Sequence, residues 1–190
     1  MMKFPCRLSL AGHIFGWLLA APTHAFTLSE LQQLLKSSPR IDIPFQEVRE
    51  SPWLSAPAQS RGTMRASAKA LEKRVELPRP ETWRLLADRI EWTGNNGVDR
   101  KEILFAQAPA MAVLADAIRR IINGDLDALQ TDFRVLLSGD QKRWAVQLIP
   151  ISVPASQHLD LLEMQGTGAQ LQSLVVNDRQ GARTTTSFRP

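Results

Sequence analysis

The sequence has very few of the side chains on which most catalytic and metal sites depend. It contains one cysteine and three histidines, and Cys6, His13 and His24 all lie in the first 25 residues. Without that segment the chain has no thiol for a disulfide, a nucleophile or a metal ligand, and His158 is its only imidazole. A Ser-His-Asp triad would need His158, and no G-x-S-x-G motif is present to carry the serine. A zinc site would need ligands that are almost all carboxylates, which is unusual for zinc.

The N-terminal apolar stretch lacks the length that a transmembrane helix needs. Leu8 to Ala21 is 14 residues long, whereas a helix needs about 20 to cross a bilayer. A positively charged start precedes this stretch, and the small residues Thr23 and Ala25 follow it at the spacing of a cleavage site. We therefore expect residues 1–25 to be a cleaved signal peptide and residues 26–190 to form one exported domain.

The mature chain also lacks a large excess of charge of either sign. Two of the 23 basic residues and none of the 19 acidic ones lie in the expected signal peptide, which leaves a net charge of +2. This small value gives no reason to expect a nucleic-acid partner. The remaining length is enough for one domain with a substantial core. These absences favour a binding protein that is not an enzyme and that holds no metal or other cofactor.

Two segments have the periodicity of amphipathic helices. The first, residues 27–37, begins with a capping box, in which a threonine is followed by a glutamate three residues later. The second and clearer helix spans Ala108 to Asn123, with apolar residues at i, i+3, i+4 and i+7. Asp116 can pair with Arg120 one turn later, and Gly124 is suited to a C-terminal cap. The first helix is too short to be stable alone, so it must pack against an apolar surface.

Most of the remaining mature chain has the period of two that is typical of β-strands. Pro44 indicates an edge strand or a bulge in the first run, and Gly94-Asn95-Asn96-Gly97 predicts a hairpin. In the third run Leu71, Val75 and Leu77 share the apolar face. Short runs separated by turn residues predict an antiparallel meander of about 10–11 strands. The expected strands cover residues 40–50, 61–67, 70–77, 82–87, 89–93, 98–105, 133–137, 144–150, 159–165, 171–177 and 182–188.

A sheet of this size cannot stay flat, because its strands twist, and a curled sheet encloses a hollow. We therefore expect an α+β fold in which a strongly curved antiparallel sheet has helices on its concave side. If side chains fill the hollow, the helices belong to an ordinary core, which is the more usual arrangement. If they do not, the hollow is an apolar pocket suited to an alkyl chain.

Several short segments of the mature chain follow one another in the order and spacing of a known family. They are Leu28-Ser29-Glu30-Leu31, Phe45-Gln46-Glu47-Val48-Arg49, Ser60-Arg61-Gly62-Thr63-Met64, Pro80-Glu81-Thr82, the run Ala108 to Asp125, Leu137-Ser138-Gly139-Asp140 and Trp144 to Pro150. In these segments the chain resembles the LolA-like outer-membrane lipoprotein carriers, as a divergent branch. The resemblance covers nearly the whole mature chain.

The resemblance implies an incomplete β-barrel whose hollow is covered by helices and holds acyl chains. It also implies a monomeric periplasmic carrier, or chaperone, with a lipidated cargo such as a lipoprotein, a glycolipid or a similar molecule. The cargo would pass from an inner-membrane donor complex to an outer-membrane acceptor. The residues expected to contact the acyl chain are apolar and lie on inward-facing stripes: Leu31, Leu35, Phe45, Met64, Leu71, Val75, Trp92, Met111, Leu114, Ile118, Ile121, Trp144 and Val146.

Three basic residues are expected to hold the lid or to contact a headgroup: Arg49, Lys69 and Arg119. General carriers of the family have an Arg-Pro pair just after the strand that corresponds to residues 62–67, and the arginine helps to hold the lid. Here Ala68-Lys69 occupies that place. Lys69 cannot reproduce the planar fork of an arginine, because an ammonium group is a compact point charge.

For Glu47, Arg49 and Arg119 an ordinary interpretation as solvent-exposed charges is also open. Glu47 and Arg49 share a strand face with Phe45, and an exposed ion pair on that face would contribute only about 0–1 kcal/mol. Arg119 lies on the polar stripe of its helix, where a solvated position is usual. Two other functions also stay open: an envelope interaction or scaffold module with a filled core, and a hydrolase built on two carboxylates about 5–10 Å apart.

Overall fold

The computed structural model describes residues 25–37, 42–67, 70–94 and 97–189. Residues 1–24 of the expected signal peptide, Lys69 and the Asn95-Asn96 dipeptide lie outside the described residues. Within the described ranges, no helix is long and apolar enough to cross a membrane. The helices are α1 (Leu28–Lys36), α2 (Pro109–Asn123) and the single turn α3 (Val153–Ser156), with 3-10 turns at Phe105–Gln107 and Asp127–Thr131.

Eleven strands of the described chain form one antiparallel sheet. Each expected strand is present, and its bounds shift by three residues or fewer. The strands are β1 (Ile43–Glu50), β2 (Ala58–Ala66), β3 (Leu71–Leu77), β4 (Glu81–Leu85), β5 (Arg89–Gly94), β6 (Asp99–Leu104), β7 (Phe133–Gly139), β8 (Trp144–Pro150), β9 (Leu159–Thr167), β10 (Gln170–Asp178) and β11 (Arg183–Phe188).

The sheet consists of two meanders that meet at β1 and β11. Its order is β6-β5-β4-β3-β2-β1-β11-β10-β9-β8-β7, so strands that pair in the sheet are consecutive in the chain everywhere except at the β1–β11 junction. Strands β6 and β7 each pair on one side only, and among the described residues the sheet does not close. The expected α+β fold with an incomplete β-barrel is therefore confirmed. Helix α2 lies between β6 and β7 in the chain and thus connects the two open edges.

The connections at one end of the sheet are longer than those at the other, and we call that end the rim. The opposite end has short turns, such as residues 86–88 and 140–143. The rim consists of residues 51–57, 78–80, 97–98, 151–158 and 179–182.

Two details of strand placement differ from the expectation. Pro44 does not mark an edge strand, because β1 pairs with both β2 and β11. A proline is tolerated there since its missing N–H falls before the first paired residue of the β11 ladder, Phe45. Leu77 does not share the apolar face of Leu71, because a bulge separates the two registers, and it is 46% exposed.

The core lies between the concave face of the sheet and the helices. Inward-facing residues of β1–β3 and β7–β11 pack with α1, α2 and the 3-10 turn at Asp127–Thr131 in one apolar cluster. Leu31 of α1, Leu126 after α2, and Val146 and Leu162 of the sheet are fully buried. The helices thus cover the concave face, as their apolar stripes predict.

Helix α1 is held to the end of α2 by one glutamine. Gln32 Oε1 accepts hydrogen bonds from the backbone N–H groups of Leu126 (2.7 Å) and Asp127 (3.0 Å), and Gln32 Nε2 donates to Asp127 Oδ2 (2.8 Å). Gly124 caps α2 in the left-handed conformation (φ 67°), and a Cβ there would lie 2.9 Å from Leu35 Cβ. Helix α1, the end of α2 and the following turn therefore form one packed unit.

Removal of the Gln32 side chain should loosen this unit. We expect Gln32→Ala to lower the free energy of unfolding by about 1–2 kcal/mol, because the partly buried backbone N–H of Leu126 and the exposed N–H of Asp127 lose their acceptor. The matched control is Gln33→Ala, at an exposed position of the same helix, which should change stability by less than about 0.5 kcal/mol. Urea unfolding followed by tryptophan fluorescence measures both, and equal losses would contradict this assignment.

Candidate binding site on the concave face

The concave face is apolar over most of its area and polar at one end. Strands β7–β10 present mainly apolar side chains inward, and β1–β5 do so at the end opposite the rim. Near the rim, β1–β6 and β11 present polar side chains on the same face, and we call this group the polar end. Its members, placed by strand register, are Glu47, Arg49, Ser60, Lys73, Glu81, Asp99, Lys101, Thr184 and Thr186.

Most of the residues predicted to contact an acyl chain are brought together in the apolar part. Leu114 and Ile118 are half-buried and pack against the edge of this cluster. An acyl chain therefore reaches the apolar face only when the helices or the side chains beneath them move apart. Nine predicted residues are at most 5% exposed within one cluster: Leu31, Leu35, Phe45, Met64, Leu71, Val75, Ile121, Trp144 and Val146.

Two predicted residues lie elsewhere. Met111 is in the first turn of α2 and is 37% exposed. Trp92 lies at the polar end, where its Nε1 donates a hydrogen bond to Glu81 Oε2 (2.8 Å). A Cβ at Gly94 would lie 2.5 Å from Trp92 Cζ2, so the indole covers the backbone of Gly94. Lys101 Nζ is 5.6 Å from the centre of the Trp92 ring.

Trp144 has a clear structural task within the apolar cluster. Its Nε1 donates a hydrogen bond to the carbonyl oxygen of Gly168 (2.9 Å). A Cβ at Gly166 would lie 2.2 Å from Trp144 Cζ2, so only a glycine leaves room for the ring. The indole therefore fixes the β9–β10 turn at the end of the sheet opposite the rim.

A partly buried ion pair marks the boundary between the apolar part and the polar end. Lys73 Nζ lies 2.6 Å from Glu47 Oε1, and the two side chains are 20% and 18% exposed. Thr186 Oγ1 donates a hydrogen bond to Glu47 Oε2 (3.0 Å), and Lys73 Nζ stands 5.0 Å from the centre of the Phe45 ring. Glu47 thus pairs with a residue of β3 and not with Arg49, and the pair is less exposed than the sequence indicated.

A cleft of about 560 Å³ opens at the polar end. Helical residues do not contribute to its lining, so the helices cover the apolar part and leave this part of the sheet accessible. Two carboxylates, a guanidinium and an indole face it, which makes it suited to a polar group. Its lining residues are Ser60, Val75, Pro78, Arg79, Pro80, Glu81, Trp92, Gly94 and Asp99.

Helix α2 is more deeply buried in its second half than at its N-terminal turn, where Met111 is 37% exposed. Ala108, its N-cap residue, makes no side-chain capping hydrogen bond, whereas Gly124 caps the other end. Ala117, Ile121 and Ile122 in the second half of α2 are at most 6% exposed. The first half instead borders a second cleft of about 240 Å³. That cleft is lined by Leu86, Ala87, Phe105, Ala112, Val113, Asp116, Arg119 and Asp132.

A charge network lies on the flank of α2 beside this second cleft. Asp116 accepts hydrogen bonds from Arg119 and Arg120, so the expected i, i+4 pair is present. Arg120 Nη1 also donates to Asp125 Oδ2 (3.1 Å). Partial burial acts to raise the pKa of Asp116, but the hydrogen bonds from Arg120 and Arg119 outweigh it and hold that pKa below its ordinary value.

The three residues predicted as lid or headgroup contacts have separate positions. Arg119 lines the second cleft while it binds Asp116. Arg49 has the inward parity of β1 but is exposed near the rim, and Lys69 lies outside the described residues. Sequence reasoning missed Lys73 and Gln32. Lys73 alternates with Leu71 and Val75, and a charge at an inward position of an apolar strand is a signal that could have identified it.

The described residues contain no group of three or more histidine, cysteine, aspartate or glutamate side chains that could hold a metal ion. The concave face combines an apolar surface under the helices, a polar cleft at the rim and the ion pair between them.

A protein-family model described as "Outer membrane lipoprotein carrier protein LolA-like" matches residues 20–188 of the sequence. No curated protein matches the chain. Residues 20–188 include every helix and strand described above.

Three solved structures are similar in fold. A LolA superfamily protein from Nitrosomonas europaea is 9% identical, with 87% of this chain and 93% of that chain covered and a TM-score of 0.41. A putative outer membrane lipoprotein-sorting protein domain from Vibrio parahaemolyticus is 10% identical, with 86% and 89% covered and a TM-score of 0.46. A DUF1329 family protein from Desulfovibrio piger is 8% identical, with 85% and 88% covered and a TM-score of 0.46. At such low identities and TM-scores these three structures support no conclusion about family. The family assignment rests on the match of residues 20–188 to the family model alone.

The partly buried ion pair should matter more than its exposed neighbours. We expect Lys73→Met to lower the free energy of unfolding by about 1–3 kcal/mol, because Glu47 is left without its cation. The double variant with Glu47→Gln should lose less than the sum of the two single variants. Arg74 follows Lys73 on β3, and Arg74→Met removes an exposed pair with Glu72, which should cost at most about 1 kcal/mol. Additive losses in a denaturant double-mutant cycle would show that the two groups are not coupled.

The Asp116 network should make stability depend on acid pH. Because the pKa of Asp116 is lowered in the folded protein, its pairing stabilises the fold above the unfolded pKa of about 4 and is lost as pH falls through the folded pKa. Asp116→Asn should therefore be less stable than the wild type at pH 7 by at most about 1 kcal/mol. The difference should shrink towards zero by about pH 2.

Thermal or urea unfolding at both pH values measures this difference. Asp160→Asn, at an exposed site on β9, is the control and should show little change at either pH. A difference between the wild type and Asp116→Asn that grows on acidification would contradict the pairing.

Proposed function

The chain belongs to the family of LolA-like outer membrane lipoprotein carrier proteins, and we propose that it is a periplasmic carrier for a lipidated molecule. Its acyl chains would bind between α2 and the apolar part of the concave face. The carrier would be exported by residues 1–25 and would act as a monomer. It takes its cargo from an inner-membrane donor complex and delivers it to an outer-membrane acceptor, without enzymatic chemistry and without a cofactor.

The observation that supports this proposal best is the position and asymmetry of α2. The helix connects β6 and β7, the two edge strands of the sheet, and lies over the apolar face that an acyl chain would need. Its second half is buried and tied to α1, while its first half has no side-chain cap and borders a cleft. We infer that the first half moves away from the sheet while the second half stays in place as a hinge.

Acyl binding of this kind is an exchange of apolar contacts. The apolar stripe of α2 and the cargo compete for the same surface of the sheet. A chain of about 14–16 carbons gains on the order of 10 kcal/mol on burial, since each methylene contributes about 0.8 kcal/mol. Part of this gain offsets the loss of the helix contacts, and the remainder still makes spontaneous release slow. The proposal therefore requires a donor that drives loading and an acceptor with a higher affinity.

The cleft beside the first half of α2 contains a charged side chain, Arg119, that could bind a polar group of the cargo. Leu86, Phe105 and Val113 provide its apolar lining, and Arg119 lies among them. In this proposal the acyl chain passes through the cleft under α2 and Arg119 contacts the anionic or polar headgroup. Displacement of Asp116 from Arg119 would then accompany loading.

A second function is favoured by the packing of the core. Nine of the residues predicted to contact a lipid are almost fully buried against each other, which is also what an envelope interaction or scaffold module with a filled core would show. The two proposals differ in one property, namely whether the apolar cluster opens to accept an acyl chain.

Lipid analysis of the mature protein separates these two functions. We expect native mass spectrometry of protein purified from the periplasm, followed by solvent extraction, to reveal a bound lipid, and lipid-free protein to take up a fluorescent fatty acyl probe. Protein that carries no lipid and also fails to bind the probe would support the scaffold function and exclude the carrier. The intact mass also tests whether the mature chain begins at Phe26.

The half-buried residues of α2 should set the affinity for the acyl probe. We expect Leu114→Ala and Ile118→Ala each to raise the probe Kd by about three- to tenfold, because each removes methyl groups from the wall that the chain contacts. Leu136→Ala is the matched control, since Leu136 is 46% exposed on the opposite face of the sheet. Equal affinity in all three variants would place the acyl site elsewhere.

A further inference from the structure

The two ends of the sheet differ in the apolar surface that they expose. At the opposite end, among the described residues, the exposed large hydrophobic residues are Leu104 (38%) and Met111 (37%), which lies in the first turn of α2. A concentration of exposed apolar side chains at one end of a protein marks an interaction surface. Six large hydrophobic residues are exposed on the rim or beside it: Trp53 (81%), Leu54 (43%), Leu77 (46%), Val98 (77%), Ile151 (55%) and Val153 (66%).

The rim connections that carry Trp53, Leu54, Ile151 and Val153 are joined by contacts through the β10–β11 turn. A Cβ at Gly181 would lie 3.3 Å from Pro52 Cγ, so the β1–β2 loop touches the β10–β11 turn. The backbone N–H of Arg179 donates a hydrogen bond to the carbonyl oxygen of His158 (3.0 Å), which joins that turn to the segment with Ile151 and Val153. Neighbouring rim connections are two strands apart, or about 10 Å. The tips of these connections therefore lie one after another along the same end of the sheet.

The arrangement fits a lipid surface better than a folded partner. The apolar residues are at the tips of separate loops and do not line a groove, so a fluid surface can accept them individually. Tryptophan is the side chain that favours the membrane–water interface, because its ring is apolar and its N–H is polar. Arg79 and Arg179 are exposed in the same set of connections, and basic residues next to apolar ones attract anionic headgroups.

We propose that the rim is a docking surface for an anionic lipid bilayer, into whose headgroup region Trp53, Val98 and Val153 insert. The proposal goes beyond cargo binding and rests on a different part of the molecule. Docked in this way, the protein turns the mouth of the 560 Å³ cleft, which Pro78, Arg79 and Pro80 border, towards the membrane. The rim would thus set the orientation in which the concave face approaches lipid.

Flotation of the mature full-length domain with vesicles tests this proposal. Vesicles of phosphatidylethanolamine and phosphatidylglycerol should carry the wild-type protein upward in a density gradient, and vesicles of phosphatidylcholine alone should carry much less. The variant Trp53→Ser/Val153→Ser should bind the anionic vesicles about tenfold or more weakly, because two exposed apolar anchors are removed. The matched control Leu104→Ser/Leu136→Ser replaces two exposed leucines away from the rim and should float like the wild type.

A second measurement reports insertion directly. Lipids with brominated acyl chains should quench part of the tryptophan emission of the wild type, and Trp53→Phe should abolish that quenched part, since Trp83, Trp92 and Trp144 are half-buried or buried. Absence of flotation for the wild type, or equal flotation of the rim and control variants, would overturn the proposal. So would quenching of equal extent in the wild type and Trp53→Phe.

The same variants keep this inference separate from the carrier function. Acyl-probe uptake should be unchanged in Trp53→Ser/Val153→Ser, because both side chains are exposed on the rim and are not members of the apolar cluster under α2. If neither the wild type nor the variants bind the acyl probe but the wild type docks on vesicles, the carrier function is excluded and the docking proposal stands. Intact probe binding without any vesicle docking would exclude the rim and retain the carrier.

Discussion

The constraint on which this fold depends is that its sheet curls without closing. The edge strands of the eleven-stranded sheet, β6 and β7, do not pair with each other. The concave face between them is largely apolar. Water would contact that face if nothing covered it, and burial of apolar surface is the main force that holds a domain together. The chain covers it with the segment between the two open edges, so α2 completes the core that the sheet leaves open.

The cover is not equally firm along its length. Gln32 of α1 and the left-handed cap at Gly124 fix the second half of α2, while the first half has no side-chain cap and borders a cleft. A firm end and a loose end are what a hinged cover needs, because local opening concentrates where buried contacts are fewest. The structure thus combines a closed core with one less buried segment, at which the opening in our proposal would begin.

The polar end of the concave face separates two environments on a single sheet. The Glu47–Lys73 pair stands at the boundary, with the apolar cluster on one side and an accessible cleft on the other. Partial burial of charges is costly unless they are paired, and the pair with its Thr186 hydrogen bond meets that requirement. The same sheet therefore presents an apolar surface under the helices and polar side chains near the rim.

The sequence by itself determined the elements. Alternation and turn residues located all eleven strands, and the 3.6-residue period located α1 and α2, because these patterns follow from local backbone geometry. They also placed Phe45, Met64 and Val146 on inward faces.

The tertiary structure alone decided which strands are neighbours, and with that the character of each site. The β1–β11 junction makes β1 central despite Pro44, and a bulge turns Leu77 outward. Only the folded sheet places Lys73 beside Glu47 and Trp92 within hydrogen-bond distance of Glu81. It also places the exposed tips of loops distant in the sequence at one rim. The physical reason is that strand order and register join residues far apart in the sequence, and no local period encodes those contacts.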